Sequence, residues 1–133
     1  MIPTIGFDFE GTICAHAWPL LGDPVPHALN SLALLRREYG ARLILLTIRS
    51  GDSLQEAVDY IESQGIILYG INHNPSQKQW SSSAKIHCDV YIDDAAVGCP
   101  LLYTFTKRPV VDWNMVVMML PEILKRLSAV KGF

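Results

Sequence analysis

The chain has 133 residues, with 11 Lys+Arg against 13 Asp+Glu, half of its residues hydrophobic and 18% charged. That length fits one domain, residues 1–133, able to hold its own core, and the apolar content excludes a disordered chain. A net charge of −2 excludes a nucleic-acid grip built on bulk positive charge, and no apolar run reaches the roughly 20 residues of a membrane span.

The start of the chain lacks the basic region of a signal peptide. Ile5 to Phe9 reads as a first strand, buried on both faces. A loop over residues 10–26 follows, rich in Gly and Pro. His27 to Tyr39 carries apolar residues at helical spacing and stops at Gly40. Arg42 to Thr47 is a second buried strand. Ser53-Leu-Gln-Glu56 has the form of a capping box, opening a helix that stops at Gly65. Ile66 to Tyr69 reads as a third strand, 70–84 as loop, Asp89 to Ile92 as a fourth strand, and Leu101 to Phe105 as a fifth. Asp112 is placed to cap a last helix from Trp113 to Val130, broken or kinked at Pro121. Trp113, Met115, Met118 and Met119 are expected in its core face. Cys14, Cys88 and Cys99 are odd in number and lack C-x-x-C spacing, which argues against a disulfide framework and for a reducing compartment, the cytoplasm.

Alternation of buried strands and helices predicts an α/β fold on an open, mostly parallel sheet. Ligands of such sheets bind beyond the carboxyl ends of the strands. Asp8 and Glu10 close the first strand, Thr47 the second, and Asp93-Asp94 the fourth, with Lys85 shortly before it. Asp8 lies between Phe7 and Phe9, where an unpaired carboxylate is costly. Asp8 and the two further acids at the end of another buried strand, Asp93 and Asp94, call for a counter-charge. A hard cation with oxygen ligands supplies one, and Mg²⁺ characteristically takes one or two carboxylates with phosphate and water.

Phe7-Asp8-Phe9-Glu10-Gly11-Thr12 resembles the first motif, Asp-x-Asp-Gly-Thr, of the haloacid dehalogenase-like hydrolase superfamily. Leu-Ile-Leu-Leu-Thr47 resembles its second motif, and Lys85 with Val-Tyr-Ile-Asp93-Asp94 its third and fourth. The resemblance covers about residues 4–100. It implies a three-layer, Rossmann-like fold with sheet order 5-4-1-2-3, and phosphoryl transfer through an aspartyl-phosphate on Asp8. It also implies Mg²⁺ held by Asp8, the Glu10 carbonyl, Asp93 and Asp94, with phosphate held by Gly11, Thr12, Thr47 and Lys85. Lys78 is the rival to Lys85. Arg49 reads equally as a ligand of a substrate anion or as the partner of a nearby acid. His16 reads as a surface or structural residue that could overhang the site.

Glu10 stands where most of the superfamily has Asp, the acid for the leaving group. The enolase-phosphatase branch also carries Glu there. The intervals between motifs leave no room for a separate cap domain. The expectation is therefore a cap-less, Mg²⁺-dependent phosphatase. Its substrate would be a small phosphate ester rather than a macromolecular phosphate, and a second copy of the chain could cover the open site. The alternative is a catalytically weak phosphate-binding or regulatory module of the same fold.

Overall fold

The computed structural model describes residues 2–131. At its centre β1 (Thr4–Phe7) is buried along its whole length. It pairs in parallel with β2 (Arg42–Leu45) on one side and with β4 (Val90–Ile92) on the other, and β3 (Gly70–Ile71) adds to β2. The order is β3-β2-β1-β4, all parallel. Ile5, Phe7, Leu43 and Leu45 are fully buried, as central strands of a covered parallel sheet should be.

α1 (Ala28–Tyr39) lies between β1 and β2 in the chain. It ends where Gly40, at φ 64°, takes the left-handed conformation and donates back to the carbonyls of Arg36 and Leu35. α2 (Gly51–Ser63) begins earlier than the Ser53–Glu56 pattern suggested. Ser50 is its N-cap, and the Ser53 hydroxyl, inside the first turn, donates back to the Ser50 carbonyl at 2.9 Å. No capping box forms, because Gly51 at φ 54° turns the chain into the helix before Ser53 is reached.

The third strand is also displaced. Ile66, read as its first residue, is buried in the core, but pairing with β2 starts only at Tyr69, whose N–H reaches the Leu43 carbonyl. Leu101–Leu102 (β5) does not extend the main sheet. It pairs antiparallel with β6 (Val110–Val111), a strand too short for its alternation to show in the sequence. Both β6 valines are fully buried, and the Val111 N–H is held by the Gly11 carbonyl, which draws this ribbon toward the turn after β1.

α3 (Trp113–Lys131) is one helix running through Pro121, not two abutting ones. Trp113, Val116, Leu120 and Leu124 bury one stripe of it on both sides of the proline, and this packing carries the helix across the missing donor. Met115, Met118 and Met119 are not core residues. They lie off that stripe, and Met118 is 74% exposed. Among the described residues, no helix is long and apolar enough to cross a membrane.

Candidate metal centre

Strand register builds the site. Phe7 pairs with Ile92 across β1 and β4, so the next residues, Asp8 and Asp93, leave adjacent strand ends side by side. The Asp8 N–H donates to the Ile92 carbonyl at 3.0 Å and fixes that level. Asp94 follows immediately. One ligand oxygen from each of Asp8, Asp93 and Asp94 lies within 4.8 Å of the others. The Asp93 carboxylate also accepts from the Ala95 N–H, which starts the turn after β4. Burial, and then the charge of Asp93, push the Asp8 carboxyl from 3.8 up to about 8.

The oxygen donors of this carboxylate set suit a hard divalent cation.

His16 lies beside the aspartates. Its Nε2 lies 2.7 Å from the Asp94 carboxylate. The pair crosses directly over Gly11, where a Cβ would collide with both partners, and Gly11 has φ 76°. Glycine is needed there on both counts. Nothing in the spacing of His16 announces this contact, since it spans 78 residues of chain.

The turn after β1 is closed upon itself. The Phe9 carbonyl accepts from the N–H groups of Thr12, Ile13 and Cys14, and the Gly11 N–H donates to the Cys14 carbonyl. The amides of Gly11 and Thr12, expected to hold phosphate, are therefore engaged within the turn. Thr12 is fully buried, and its hydroxyl makes a long 3.4 Å contact to Asp8. Its carbonyl accepts from the indole N–H of Trp113 at 2.7 Å, so α3 buttresses the turn from behind.

Arg49 does not face a substrate. Its side chain is fully buried over the Phe9 ring. Nε donates to Glu10 Oε1 at 2.7 Å, Nη1 to the carbonyls of Pro19 and Ser53, and Nη2 to that of Leu20, while Nη2 also lies 2.6 Å from Glu10 Oε1 as an ion pair. Of the five N–H donors of a guanidinium, four make hydrogen bonds here. Of its two readings the structure takes the pair with an acid: Arg49 orients Glu10 and ties down the loop that follows the turn. The Glu10 side chain accordingly points to Arg49 and lies outside the three-aspartate cluster.

Thr47 stands at the end of β2, bracketed by Asn72. The Asn72 side chain accepts from the Thr47 N–H at 2.8 Å and donates to its carbonyl at 2.9 Å. The Thr47 hydroxyl oxygen accepts from the Arg49 N–H, which leaves its hydrogen for another partner. Asn72 was missed in the sequence. Its signal is positional: an Asn just past a strand end, at φ 51°. Lys85 and Lys78 are both exposed and neither joins the aspartates. The Lys85 backbone is the more firmly held, its carbonyl accepting from Gln77 and its N–H donating to Ser83.

No protein-family model and no curated protein matches the chain. A solved structure does: a conserved protein of Bacteroides thetaiotaomicron, 33% identical, with a TM-score of 0.76 over 92% of each chain. At that identity and coverage, the chain belongs to the same family as this conserved Bacteroides protein.

Proposed function

We propose that the protein is a metal-dependent phosphohydrolase of the haloacid dehalogenase-like type, without a cap domain. The observation that carries this reading is the convergence of Asp8, Asp93 and Asp94 at adjacent parallel strand ends. The strand order β3-β2-β1-β4 supports it, being the portion 4-1-2-3 of that superfamily's sheet.

Asp8, Asp93 and Asp94, with the Glu10 carbonyl, would hold Mg²⁺. The bound ion would neutralise the cluster and screen the repulsion between nucleophile and phosphate. The Asp8 carboxylate attacks phosphorus, and the bond from phosphorus to the ester oxygen breaks. The departing oxygen takes a proton from Glu10. Water then attacks phosphorus of the aspartyl-phosphate and gives its proton to Glu10, and inorganic phosphate leaves Asp8. Because the Arg49 Nε–H and the charge of its guanidinium engage Glu10 Oε1, the proton would be exchanged at Oε2. Thr47 and Lys85 would hold phosphoryl oxygens.

The Glu10–Arg49 pair, which turns the acid away from the aspartates, favours the second reading, a catalytically weak phosphate-binding or regulatory module. Hydrolysis of p-nitrophenyl phosphate with Mg²⁺ separates the two. Asp8→Asn is expected to abolish turnover with the fold retained, and EDTA to abolish it reversibly. Unchanged turnover in Asp8→Asn overturns the mechanism. Wild-type protein that binds phosphate without turnover establishes the module.

A further inference from the structure

The three aspartates are not held alike. The Asp93 carboxylate accepts from the Ala95 N–H, two residues along the same turn. Asp94 has no backbone donor among the described residues, and the hydrogen bond that reaches it from outside the cluster comes from His16, whose Nε2 lies 2.7 Å from Oδ2. The two side chains are only 18% and 11% exposed. An ionised carboxylate only accepts, so at this contact the ring nitrogen carries the hydrogen and donates it. A carboxylate has two oxygens and about four lone-pair sites. Asp94 can therefore accept from His16 and still present oxygen to a cation shared with Asp8 and Asp93.

His16 reaches Asp94 from a fixed backbone. The loop that carries it is pinched shut beside it: the Ala15 N–H donates to the Asp23 carbonyl at 2.8 Å, and the Val25 N–H to the Ile13 carbonyl at 2.9 Å. Gly22 packs so closely on the Ala15 carbonyl that a Cβ there would overlap it. Further along the same loop, the carbonyls of Pro19 and Leu20 are gripped by the buried Arg49. We infer that His16 is a positioning residue for the cation: its Nε2–H fixes the Asp94 carboxylate in the orientation that completes the metal centre, and so ties metal affinity to this loop. The inference rests on the metal centre of the reading above. A ligand already held in place need not be ordered as the ion binds, and loss of such an outer hydrogen bond typically weakens metal binding by about 10- to 100-fold.

The test is calorimetric titration of Mg²⁺ into the metal-free full chain, with Mn²⁺ as a second ion, for wild type, His16→Gln, His16→Asn and His16→Ala. The side-chain nitrogen of Gln stands about as far from the backbone as Nε2 of His, whereas that of Asn reaches only the level of Nδ1. His16→Gln is expected to stay closest to wild type, and His16→Asn and His16→Ala to raise Kd by about 10- to 100-fold. A general loosening of the loop would not divide Gln from Asn, so that division marks positioning, and it stands even if His16→Ala fails to fold. Asp93→Asn is the control, expected to lose the ion. Equal Kd in wild type and the His16 variants, with loss in Asp93→Asn, overturns the inference and leaves the metal centre standing. Tighter binding in His16→Ala also overturns it, since the imidazole would then compete with the ion for Asp94. Wild type that takes up neither ion overturns the metal centre, and this inference with it.

Discussion

Asp8 is held among neighbours that resist its ionisation: a buried position first, then the charge of Asp93, with Asp94 adding to it. Its folded value, about 8, lies above the ordinary carboxyl value of 3.8, so folding favours the neutral acid. The stability this contributes is present in full below about pH 4 and is lost as pH rises through about 8. Metal-free protein is therefore expected to show a falling Tm between those limits. Asp8→Asn should flatten the slope and raise Tm at pH 8. Parallel Tm profiles for the two proteins would count against the origin assigned to the shift. Arg49 gives a contrasting case, a buried charge paired with an acid. Arg49→Ala leaves the Glu10 carboxylate and three carbonyls without their donor, and a loss of about 3–5 kcal/mol is expected from urea unfolding. Arg49→Lys should recover little of it, because one ammonium has three donors and cannot span four groups.

Among the elements, α3 shows best how packing sorts a hydrophobic sequence. Leu120 is buried and Met118, two residues before it, is mostly exposed. Leu120→Ala is expected to cost about 2–5 kcal/mol in thermal or urea unfolding. Met118→Gln should change stability by no more than about 0.5 kcal/mol. If the two cost the same, the helix is rotated from the position described. The N-terminus of α3 also reaches the site. Trp113→Phe keeps the ring in the core but removes the N–H that holds the Thr12 carbonyl. A loss of about 1–3 kcal/mol is expected there, with turnover reduced because the turn carrying Glu10 loses its support.

At the scale of the whole molecule, the carboxylate cluster links folding to metal. A cation that binds the folded chain and not the unfolded one adds about 2.7 kcal/mol at a concentration 100 times its Kd. Mg²⁺ is therefore expected to raise Tm by several degrees at pH 8, and Asp93→Asn to abolish most of the rise. An equal rise in the variant would place the ion elsewhere.

The sequence by itself determined the elements whose signal is local. Apolar runs marked β1, β2 and β4, helical spacing and Gly40 marked α1, and the acids at the strand ends marked Asp8, Asp93 and Asp94 as a group. These survive because strand continuity and parallel register carry neighbouring strand ends to one edge. What only the tertiary structure decided are the contacts between residues distant in the chain. Arg49 reads equally well as a phosphate ligand or an ion-pair partner, and the choice fell to Glu10, 39 residues away, and to two carbonyls of the following loop. His16 met Asp94, Asn72 met Thr47, and β5 left the sheet for β6, each through a partner that periodicity does not encode. Local pattern measures the tendency of a segment to be buried or helical. Which donor meets which acceptor depends on how the packed elements share space, and that is settled only when the core closes.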